Sequence, residues 1–353
     1  MFSQSISKPT VGWDIGGAHL KAVLLDDKGE IDQVLQLPCQ LWRGLDQLEN
    51  AINDALQAFK IRHSDAFHAV TMTGELVDFF PNRHVGVIEI SNLAAKLLGK
   101  ETWFYVAQDS GSHGFVTLGR VSDVSSHIAS ANWHASASAL AMHVVDALLI
   151  DIGSTTTDII RIEAGKVKTG DLSDAARMRD DSLVYTGIVR TPVMALAQKL
   201  PFEGAESNVA AEYFATMADV YRLTGELLPE SDMAETADGK GKSALESARR
   251  LARMIGHDVE DKPIETWMSL ANTCKKLQMN QIKTAMLKHF KPGAPIIGAG
   301  AGSFLVKQLA LDLDLAYQPI SIGFPGHANL KLKHDLEICF PAYAVAHLAK
   351  NNA

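Results

Sequence analysis

The segment "DIGSTTTDII" (residues 151–160) decides how this chain can be interpreted, because it combines two carboxylates, a glycine and four hydroxyl side chains after an apolar run. A related segment, "DIGGAHLK", occupies residues 14–21, so that Asp14 and Asp151 are 137 positions apart. Alternating or continuous apolar positions around the turns "DDKG" and "EAGK" predict strand–turn–strand units at residues 11–38 and 147–170. The repeat predicts two duplicated α/β domains that open with the same three-stranded unit.

The rest of the chain can be divided around this repeat. We expect a first domain at residues 1–146, a second at residues 147–334, and a terminal helix at about residues 335–350 that packs back on the first domain. A long, mostly helical region follows residue 170. After it, "APIIGAGAGSFL" (residues 294–305) predicts a strand, a glycine-rich turn and the start of a helix.

Composition excludes several classes of partner. The 353 residues carry a formal net charge of −8, which gives no general basis for binding nucleic acid. No apolar run is long enough to span a membrane, and residues 1–10 do not resemble a signal peptide. Three widely separated cysteines suit a reducing compartment. We therefore expect a cytoplasmic protein that acts on small molecules, with its oligomeric state left open.

The two acidic turns have the composition of phosphate sites. Glycine lets the backbone approach a ligand and turn its N–H groups toward an anion. Aspartates beside a phosphate make sense if a hard cation such as Mg²⁺ lies between them, and a lysine could supply further positive charge. A lone D-x-G turn is usually only a strand end, and a glycine-rich turn can serve packing alone. All three in this order are far more specific.

The candidate residues follow from this interpretation. The predicted phosphate-binding residues are Gly16, Gly17, Lys21, Gly153, Ser154, Thr155, Thr156, Gly298, Gly300 and Gly302. The predicted metal ligands, acting directly or through water, are Asp14, Asp151 and Asp158.

The order of these turns resembles the actin, sugar kinase and heat-shock ATPase superfamily, whose two ribonuclease-H-like domains flank a cleft. "DIGSTTTD" and "GAGAGS" are most similar to the hydantoinase A/oxoprolinase branch. "GWDIGGAHLKA", "TMTGELVDFFPNRHVGV", "ANWHASA", "DSLVYTGIVRTPV" and "PIIGAGAGSFL" resemble the tetrahydromethanopterin-linked C1-transfer protein family from about residue 10 to 348. The resemblance implies a transferase of methanofuran or methylofuran biosynthesis, which joins an aminomethylfuran diphosphate to a phenol and releases pyrophosphate.

One departure from the superfamily affects the expected cofactors. Ala18 and His19 stand where other members usually carry threonine or serine. The loss of these hydroxyls argues against ordinary ATP hydrolysis but leaves a cradle for phosphate and metal. We therefore expect Mg²⁺ and leave ATP open.

The implied reaction needs a base, because a phenol has a pKa of about 10. Glu75 in "TMTGEL" is the first candidate, although it could equally be a helix-start carboxylate beside Thr73. Asp109 in "AQDSG" is the second. Arg190 in "YTGIVRTP" could bind a substrate carboxylate or only bridge the domains.

Two other functions remain open from the sequence. The chain could be an ATP-dependent hydrolase or small-molecule kinase, which would form ADP. It could also be a non-catalytic scaffold that binds partners in response to nucleotide. Among phenolic acceptors, tyramine, its glutamyl conjugate and tyrosine all remain possible.

Overall fold

Two sheets with related strand orders form the framework of the protein. The computed structural model describes residues 8–108, 111–323 and 335–351. The strands are β1 (Thr10–Ile15), β2 (His19–Leu25), β3 (Ile31–Pro38), β4 (Phe67–Met72), β5 (Trp103–Ala107), β6 (His113–Val116), β7 (Ala147–Ile152), β8 (Thr157–Glu163), β9 (Lys166–Lys168), β10 (Leu183–Val184), β11 (Lys199–Phe202), β12 (Ala205–Asn208), β13 (Ile296–Ala299) and β14 (Tyr317–Pro319). The helices are α1 (Leu45–Phe59), α2 (Arg83–Leu98), α3 (Leu118–Val121), α4 (Ser125–Ile128), α5 (Asn132–Ala141), α6 (Asp174–Arg179), α7 (Met217–Thr224), α8 (Ala244–Arg253), α9 (Ile264–His289), α10 (Ser303–Asp312) and α11 (Phe340–Asn351).

The strand order is duplicated between the sheets. The first sheet runs β3-β2-β1-β4-β5-β6, with β1–β3 antiparallel and β4 and β5 added in parallel. The second runs β10-β8-β7-β13-β14, with β9 also pairing with β8, and again the hairpin is antiparallel while β13 and β14 are parallel. This confirms the predicted fold class, two ribonuclease-H-like units. We call them the first and second lobes.

The equivalent acidic strands β1 and β7 are central and buried. Every residue of β1 is buried, as are all of β7 except Asp151, which is partly buried. In the first hairpin Asp14 pairs with Lys21, and in the second Asp151 pairs with Asp158. Each acid is the penultimate residue of its strand, so both carboxylates lie at the strand end that leads into the glycine turn.

Helices α5 and α11 connect the two lobes. An apolar cluster contains Trp133 and Leu140 of α5, Phe340 and Tyr343 of α11, and strand residues of both sheets, including Val23 of β2. Helix α11 crosses β1 so closely that a Cβ on Gly12 would lie 1.9 Å from the Ala342 carbonyl oxygen. The terminal helix therefore packs against the first sheet, and this shared core fixes how the two acidic strands face each other.

Helices α7, α8 and α9 form a helical insertion around the core of the second lobe. Cys39, Cys274 and Cys339 are buried and unpaired. Within the described ranges, no helix combines the length and apolar character needed to cross a bilayer.

Candidate active site

The loops that follow the two acidic strands have the same backbone closure. In the first loop (residues 16–19) the Gly16 N–H donates to the His19 carbonyl at 3.0 Å, and in the second (residues 153–156) the Gly153 N–H donates to the Thr156 carbonyl at 2.9 Å. The remaining loop amides donate to no other described residue; they belong to Gly17, Ala18, Ser154, Thr155 and Thr156. Open amides on such turns are suited to binding an anion.

Carbonyl groups of both loops accept hydrogen bonds from the backbone of neighbouring segments. Residues 39–41 donate to the first loop and residues 188–190 donate to the second. The bonds run from Leu41 N–H to Gly17 O (3.0 Å), Cys39 N–H to Ala18 O (2.9 Å), Ile188 N–H to Gly153 O (3.1 Å), Val189 N–H to Ser154 O (3.1 Å) and Arg190 N–H to Ser154 O (2.8 Å). These hydrogen bonds to the loop carbonyls order the loops and leave the open amides unused.

The first acidic strand end carries its own compensating charge. Asp14 is 3% exposed, and its Oδ2 lies 3.7 Å from the Lys21 Nζ. Burial raises the pKa of the Asp14 carboxyl, while Lys21 and the side chain of Asn132 lower it. The other oxygen, Oδ1, is buried and has no hydrogen-bond partner among the described residues. This unused oxygen is a free ligand position.

The second acidic strand end holds two carboxylates opposite each other. Arg177 pairs with Asp158 at 2.8 Å, donates to the Ser182 carbonyl at 2.9 Å and lies 3.9 Å above the Trp133 ring. Burial raises the pKa of Asp151 to about 7; Lys21 lowers this pKa, and Asp158 and Asp14 raise it further. Lys21 and Asp14 of the first hairpin thus lie near enough to Asp151 for their charges to affect its carboxyl.

The oxygen groups at this junction fit Mg²⁺ better than a closed protein-only metal site. Asp14, Asp151 and Asp158 are three carboxylates, and Lys21 and Arg177 are the cations that pair with them. In the part of the chain that the structure describes, no three His, Cys, Asp or Glu side chains form a group that could hold a metal ion by themselves. Mg²⁺ commonly takes one or two carboxylates and fills its other positions with water and phosphate oxygens. The three aspartates remain predicted ligands on this basis.

The glycine-rich turn differs from the prediction. Gly298 lies inside β13, where a Cβ would be 3.1 Å from both Val306 and Tyr317 side-chain atoms. The amides of Gly300 and Gly302 donate to the carbonyls of Glu337 and Ile152 at 3.1 and 2.8 Å. The two amides are thus already engaged within the protein. Gly298 therefore lies in a strand and the turn is packed against the second acidic strand, while phosphate binding by Gly298, Gly300 and Gly302 stays a prediction.

Glu75 follows Gly74, on which a Cβ would lie 3.2 Å from the Gly16 carbonyl oxygen of the first loop. It belongs to the one-turn helix Gly74–Leu76, directly after β4, and is 1% exposed. The Ser130 hydroxyl donates to Glu75 Oε1 at 2.9 Å, and Oε2 is buried without a described partner. Burial raises the pKa of Glu75 to about 7, which suits an acid–base group at neutral pH. The other candidate base, Asp109, lies outside the described residues.

Arg190 reaches from the second lobe toward the first. Its guanidinium lies 5.5 Å from the centre of the Trp42 ring, and it forms no ion pair with any described residue. Burial lowers the pKa of His19 to about 4, and the charges of Lys21 and Arg190 lower it further. His19 is therefore neutral at pH 7. Arg190 remains a predicted substrate-binding residue, next to an exposed aromatic ring.

A cavity of about 280 Å³ lies beside the Arg177–Trp133 pair. Its lining also contains Arg161, Lys168 and Asp180. The cavity gives a small molecule space beside Arg177.

Four residues of this junction were not identified from the sequence, namely Asn132, Arg177, Ser130 and Asp174. Asn132 belongs to "ANWHASA", one of the segments that carry the family resemblance, but the sequence assigns it no role. Arg177 and Asp174 occupy the short helix α6, and Ser130 lies in the turn before α5. No spacing along the chain indicates that these side chains meet the acidic loops.

Comparison with known proteins gives consistent results. The model of the hydantoinase/oxoprolinase family matches residues 67–322. The (4-{4-[2-(gamma-L-glutamylamino)ethyl]phenoxymethyl}furan-2-yl)methanamine synthase of Methanocaldococcus jannaschii is 30% identical over 343 residues, which is 96% of this chain and 96% of that protein. The protein of the same name from Methanococcus vannielii is 28% identical over 208 residues, covering 58% of this chain and 90% of its own.

A solved structure supports the fold. A nucleotide-free structure of acetone carboxylase superposes with a TM-score of 0.57 at 12% identity, covering 97% of this chain and 70% of that one. At this identity the likeness concerns the fold alone.

Proposed function

This chain belongs to the hydantoinase/oxoprolinase family, and from this premise we propose that it is a transferase of methanofuran-type cofactor biosynthesis. In the proposed reaction, the phenol oxygen of the acceptor forms a bond to the furan-bound CH₂ of an aminomethylfuran diphosphate. The bond between this CH₂ and the diphosphate oxygen breaks. Pyrophosphate leaves with the bonding electrons, and the phenol proton passes to a base on the protein.

One observation carries this proposal. Two loops with unused amides meet at a junction of three carboxylates, of which Asp14 is buried and Asp151 and Asp158 are partly buried, and a buried glutamate with a raised pKa lies in the turn next to the first loop. A diphosphate needs amides and a cation, whereas a phenol needs a base, and the junction offers both kinds of group. The near full-length similarity to the named synthases supports the same assignment.

The leaving group would bind between the loops. The amides of Gly17, Ser154, Thr155 and Thr156 would donate to its oxygens, and Lys21 would add positive charge. Asp14, Asp151 and Asp158 would hold Mg²⁺ directly or through water, and this ion would neutralise charge that develops on the departing pyrophosphate. Exclusion of water by the two lobes would protect the CH₂ centre, whose positive charge the furan oxygen can stabilise.

Glu75 is the proposed base. With a pKa of about 7 it is partly ionised at neutral pH, so it can accept a proton from the phenol as the new bond forms. Its burial means that the phenol must approach the junction closely. We expect Glu75→Gln to lower turnover far more than diphosphate affinity, measured by single-turnover kinetics and by calorimetry. An equal loss of both would contradict this role.

Arg190 and Trp42 would select the acceptor. The guanidinium lacks a carboxylate partner among the described residues, and the exposed indole offers a flat surface for an aromatic ring. A phenol that carries a carboxylate, such as tyrosine or a glutamyl conjugate of tyramine, would satisfy Arg190, whereas tyramine would not. Arg190→Gln should raise the KM of a carboxylate-bearing phenol roughly tenfold and leave that of tyramine unchanged. Equal effects on both would contradict the assignment.

The deciding experiment measures pyrophosphate. Purified protein is incubated with Mg²⁺ and an aminomethylfuran diphosphate, with and without a tyramine-type phenol, and a parallel reaction contains ATP alone. We expect pyrophosphate that depends on the acceptor and no ADP. ADP without acceptor-dependent pyrophosphate would return the protein to the ATP-using hydrolases and kinases. Nucleotide-dependent partner binding without turnover would favour a scaffold.

A further inference from the structure

A continuous chain of polar contacts crosses from the first lobe to the second at Glu75. The Ser130 hydroxyl lies 2.9 Å from Glu75 Oε1 and 3.4 Å from Asp174 Oδ2. The same Asp174 oxygen accepts a hydrogen bond from Arg83 Nη2 at 2.6 Å. Glu75, Ser130 and Arg83 belong to the first lobe, whereas Asp174 begins α6 of the second. The environment of Glu75 is therefore completed by the other lobe.

The backbone holds these groups in place. Glu75 is 1% exposed, Asp174 is 5% and Ser130 is 7%. Ser130 has a φ of 51°, in the left-handed region that serine rarely adopts. A Cβ on Gly86 of α2 would lie 2.8 Å from the Glu75 carbonyl oxygen, so α2 passes directly against the backbone of Glu75. The contacts of Ser130 with Glu75 and Asp174 thus join buried groups, whereas Arg83, whose side chain is 40% exposed, pairs with Asp174 from the surface.

Apart from the backbone N–H of Glu75, this cluster has few donors for two ionised carboxylates. A serine hydroxyl has one proton to donate, and it lies between Glu75 and Asp174. Arg83 supplies a single positive charge and bonds to Asp174. Glu75 Oε2 is buried without a described partner. When Asp174 is ionised and paired with Arg83, its negative charge favours a proton on Glu75.

We propose that Asp174 and Ser130 are positioning residues that set the proton affinity of Glu75 in opposite directions, and that Asp174 does so from the second lobe. Asp174 increases this affinity by its charge. Ser130 decreases it by donating to the ionised carboxylate. The inference deepens the proposed function, because it rests on Glu75 as the base for the phenol.

The charged groups around Glu75 act in the expected directions. Burial raises the pKa of Glu75, its own backbone N–H, the Ser130 hydrogen bond and Arg83 lower it, and Asp174 raises it. Tyr185 also faces this cluster, since burial and then the charge of Asp174 raise the pKa of its phenol, whereas Arg83 lowers it. Arg83 of α2, Asp174 of α6 and Tyr185 are thus the titratable groups that border Glu75.

Proton transfer would change the contact between the lobes. With Glu75 ionised, the Ser130 proton points to Glu75. When Glu75 has taken the phenol proton, the carboxyl O–H can donate to Ser130 Oγ, and the Ser130 proton becomes available to Asp174. Capture of the proton therefore adds a hydrogen bond across the junction. Its release to solvent removes this bond and loosens the contact before the next turnover.

The first test needs no substrate. The Tm is measured against pH for the wild type, Asp174→Asn and Ser130→Ala, each with and without Glu75→Gln. Because the folded-state pKa of Glu75 is raised from 4.5 to about 7, this group makes the wild type lose stability as pH rises through this window, and Glu75→Gln removes the part of the loss that belongs to Glu75. Asp174→Asn should move the midpoint down by about one pH unit, and Ser130→Ala should move it up.

The second test uses catalysis. The acid limb of the kcat/KM profile for pyrophosphate release should move in the same two directions in Asp174→Asn and Ser130→Ala. Asp123→Asn is the matched control, because the exposed Asp123 carboxylate pairs with Arg120 at 2.9 Å and has no hydrogen bond or ion pair with the described members of this cluster. Shifts of the same sign in both variants, or shifts no larger than those of Asp123→Asn, would overturn the inference.

The two tests separate this inference from the proposed function. Opposite shifts in Tm without any pyrophosphate release would support the coupling of Glu75 to Asp174 and reject the synthase. Acceptor-dependent pyrophosphate release without opposite shifts would support the synthase and overturn the coupling.

Discussion

The first and second loops share a backbone and differ in how their charge is balanced. Lys21 and Asp158 occupy equivalent positions, each seven residues after the acid of β1 or β7. In the first hairpin the pair across the strands is therefore Asp14 with Lys21, and in the second it is Asp151 with Asp158. The second loop also has hydroxyl side chains where the first has Gly17, Ala18 and His19.

This difference shows that duplication of a fold does not duplicate its chemistry. The first hairpin neutralises its carboxylate locally. The second places two carboxylates together and obtains one guanidinium, Arg177, from α6 outside the hairpin. Negative charge is therefore concentrated on the second side, where a cation is needed most. Lys21 of the first side lowers the pKa of Asp151 and contributes to the balance of both.

The largest expected effect concerns the Asp151 carboxylate of the second hairpin. Folding raises the pKa of Asp151 from 3.8 to about 7, so folding favours its protonated form. The stability from this group is complete below about pH 4 and is lost as pH rises to about 7, a change of about 4 kcal/mol. In buffer containing a chelator, Asp151→Asn should remove this loss, measured as the free energy of unfolding against pH.

The surface substitution Asp123→Asn serves as the control for this experiment and should leave the wild-type pH dependence in place. A wild-type stability that stays flat between pH 4 and 7 would show that Asp151 is not held in its protonated form by burial.

The second prediction compares the turns after β4 and β13, the strands that pair in parallel with β1 and β7. A Cβ on Gly300, which has a φ of +76°, would lie 2.3 Å from Asp151 Oδ1 and 2.4 Å from the Ile152 carbonyl oxygen. A Cβ on Gly74 would meet a flexible Leu41 methyl at 2.7 Å and the Ile15 carbonyl oxygen at 3.1 Å. In urea unfolding, Gly300→Ala should cost about 3 kcal/mol and Gly74→Ala about 1 kcal/mol.

Gly256→Ala isolates the backbone contribution to this cost. Gly256 has a φ of +77° and no atom within 4 Å of a Cβ, so only backbone strain is introduced. A Gly300→Ala protein no less stable than Gly256→Ala would mean that the turn moves away from Asp151 without cost.

The third prediction concerns the two cations. The Arg177 side chain is 4% exposed, pairs at 2.8 Å and lies over Trp133, whereas Lys21 is 23% exposed and pairs at 3.7 Å. Arg177→Met should lower the free energy of unfolding by about 3 kcal/mol, and Lys21→Met by about 1 kcal/mol. Denaturant titration at pH 7 measures both. Equal losses of unfolding free energy would show that Lys21, which lies within its hairpin, and Arg177, which comes from α6, stabilise the protein equally.

The smallest expected effect tests the hydroxyl groups. Thr155 and Ala18 are equivalent positions, so Thr155→Ala makes the second loop like the first and Ala18→Thr does the reverse. Thr155→Ala should reduce kcat/KM for pyrophosphate release roughly tenfold, and Ala18→Thr should change it less than about threefold. If Ala18→Thr instead produced ATP hydrolysis, the missing hydroxyl would be what separates this chain from ATP-using relatives.

Much of the fold could be predicted from the sequence because the repeat is local. "DIGGAHLK" and "DIGSTTTDII" each contain a strand end, a turn and the next strand, so their backbone depends on near neighbours. The packing of helix α11 on β1 was also expected from the sequence. The strand position of Gly298 could not be predicted, because a glycine inside a strand and a glycine in a turn give the same sequence pattern. Only the closeness of Val306 in the structure separates the two.

The partners of the acidic groups could not be predicted because they arrive from distant elements. Arg177 reaches Asp158 across 19 positions with another strand between them, and Ser130 reaches Glu75 across 55. Asp174 and Arg83 lie 91 positions apart and meet only when the lobes pack together. Such pairs leave no periodicity in the chain, whereas their chemistry determines which carboxylate carries a proton.

The position of helix α11 has a consequence for synthesis of the protein on the ribosome. The face of β1 around Gly12 is covered by residues 342–346, which are translated after the whole of the second sheet. A nascent chain can form the first hairpin early but cannot bury this face until α11 has emerged. We therefore expect the first lobe, although made first, to reach its protease-resistant state last, with its apolar surface open to chaperones in the meantime.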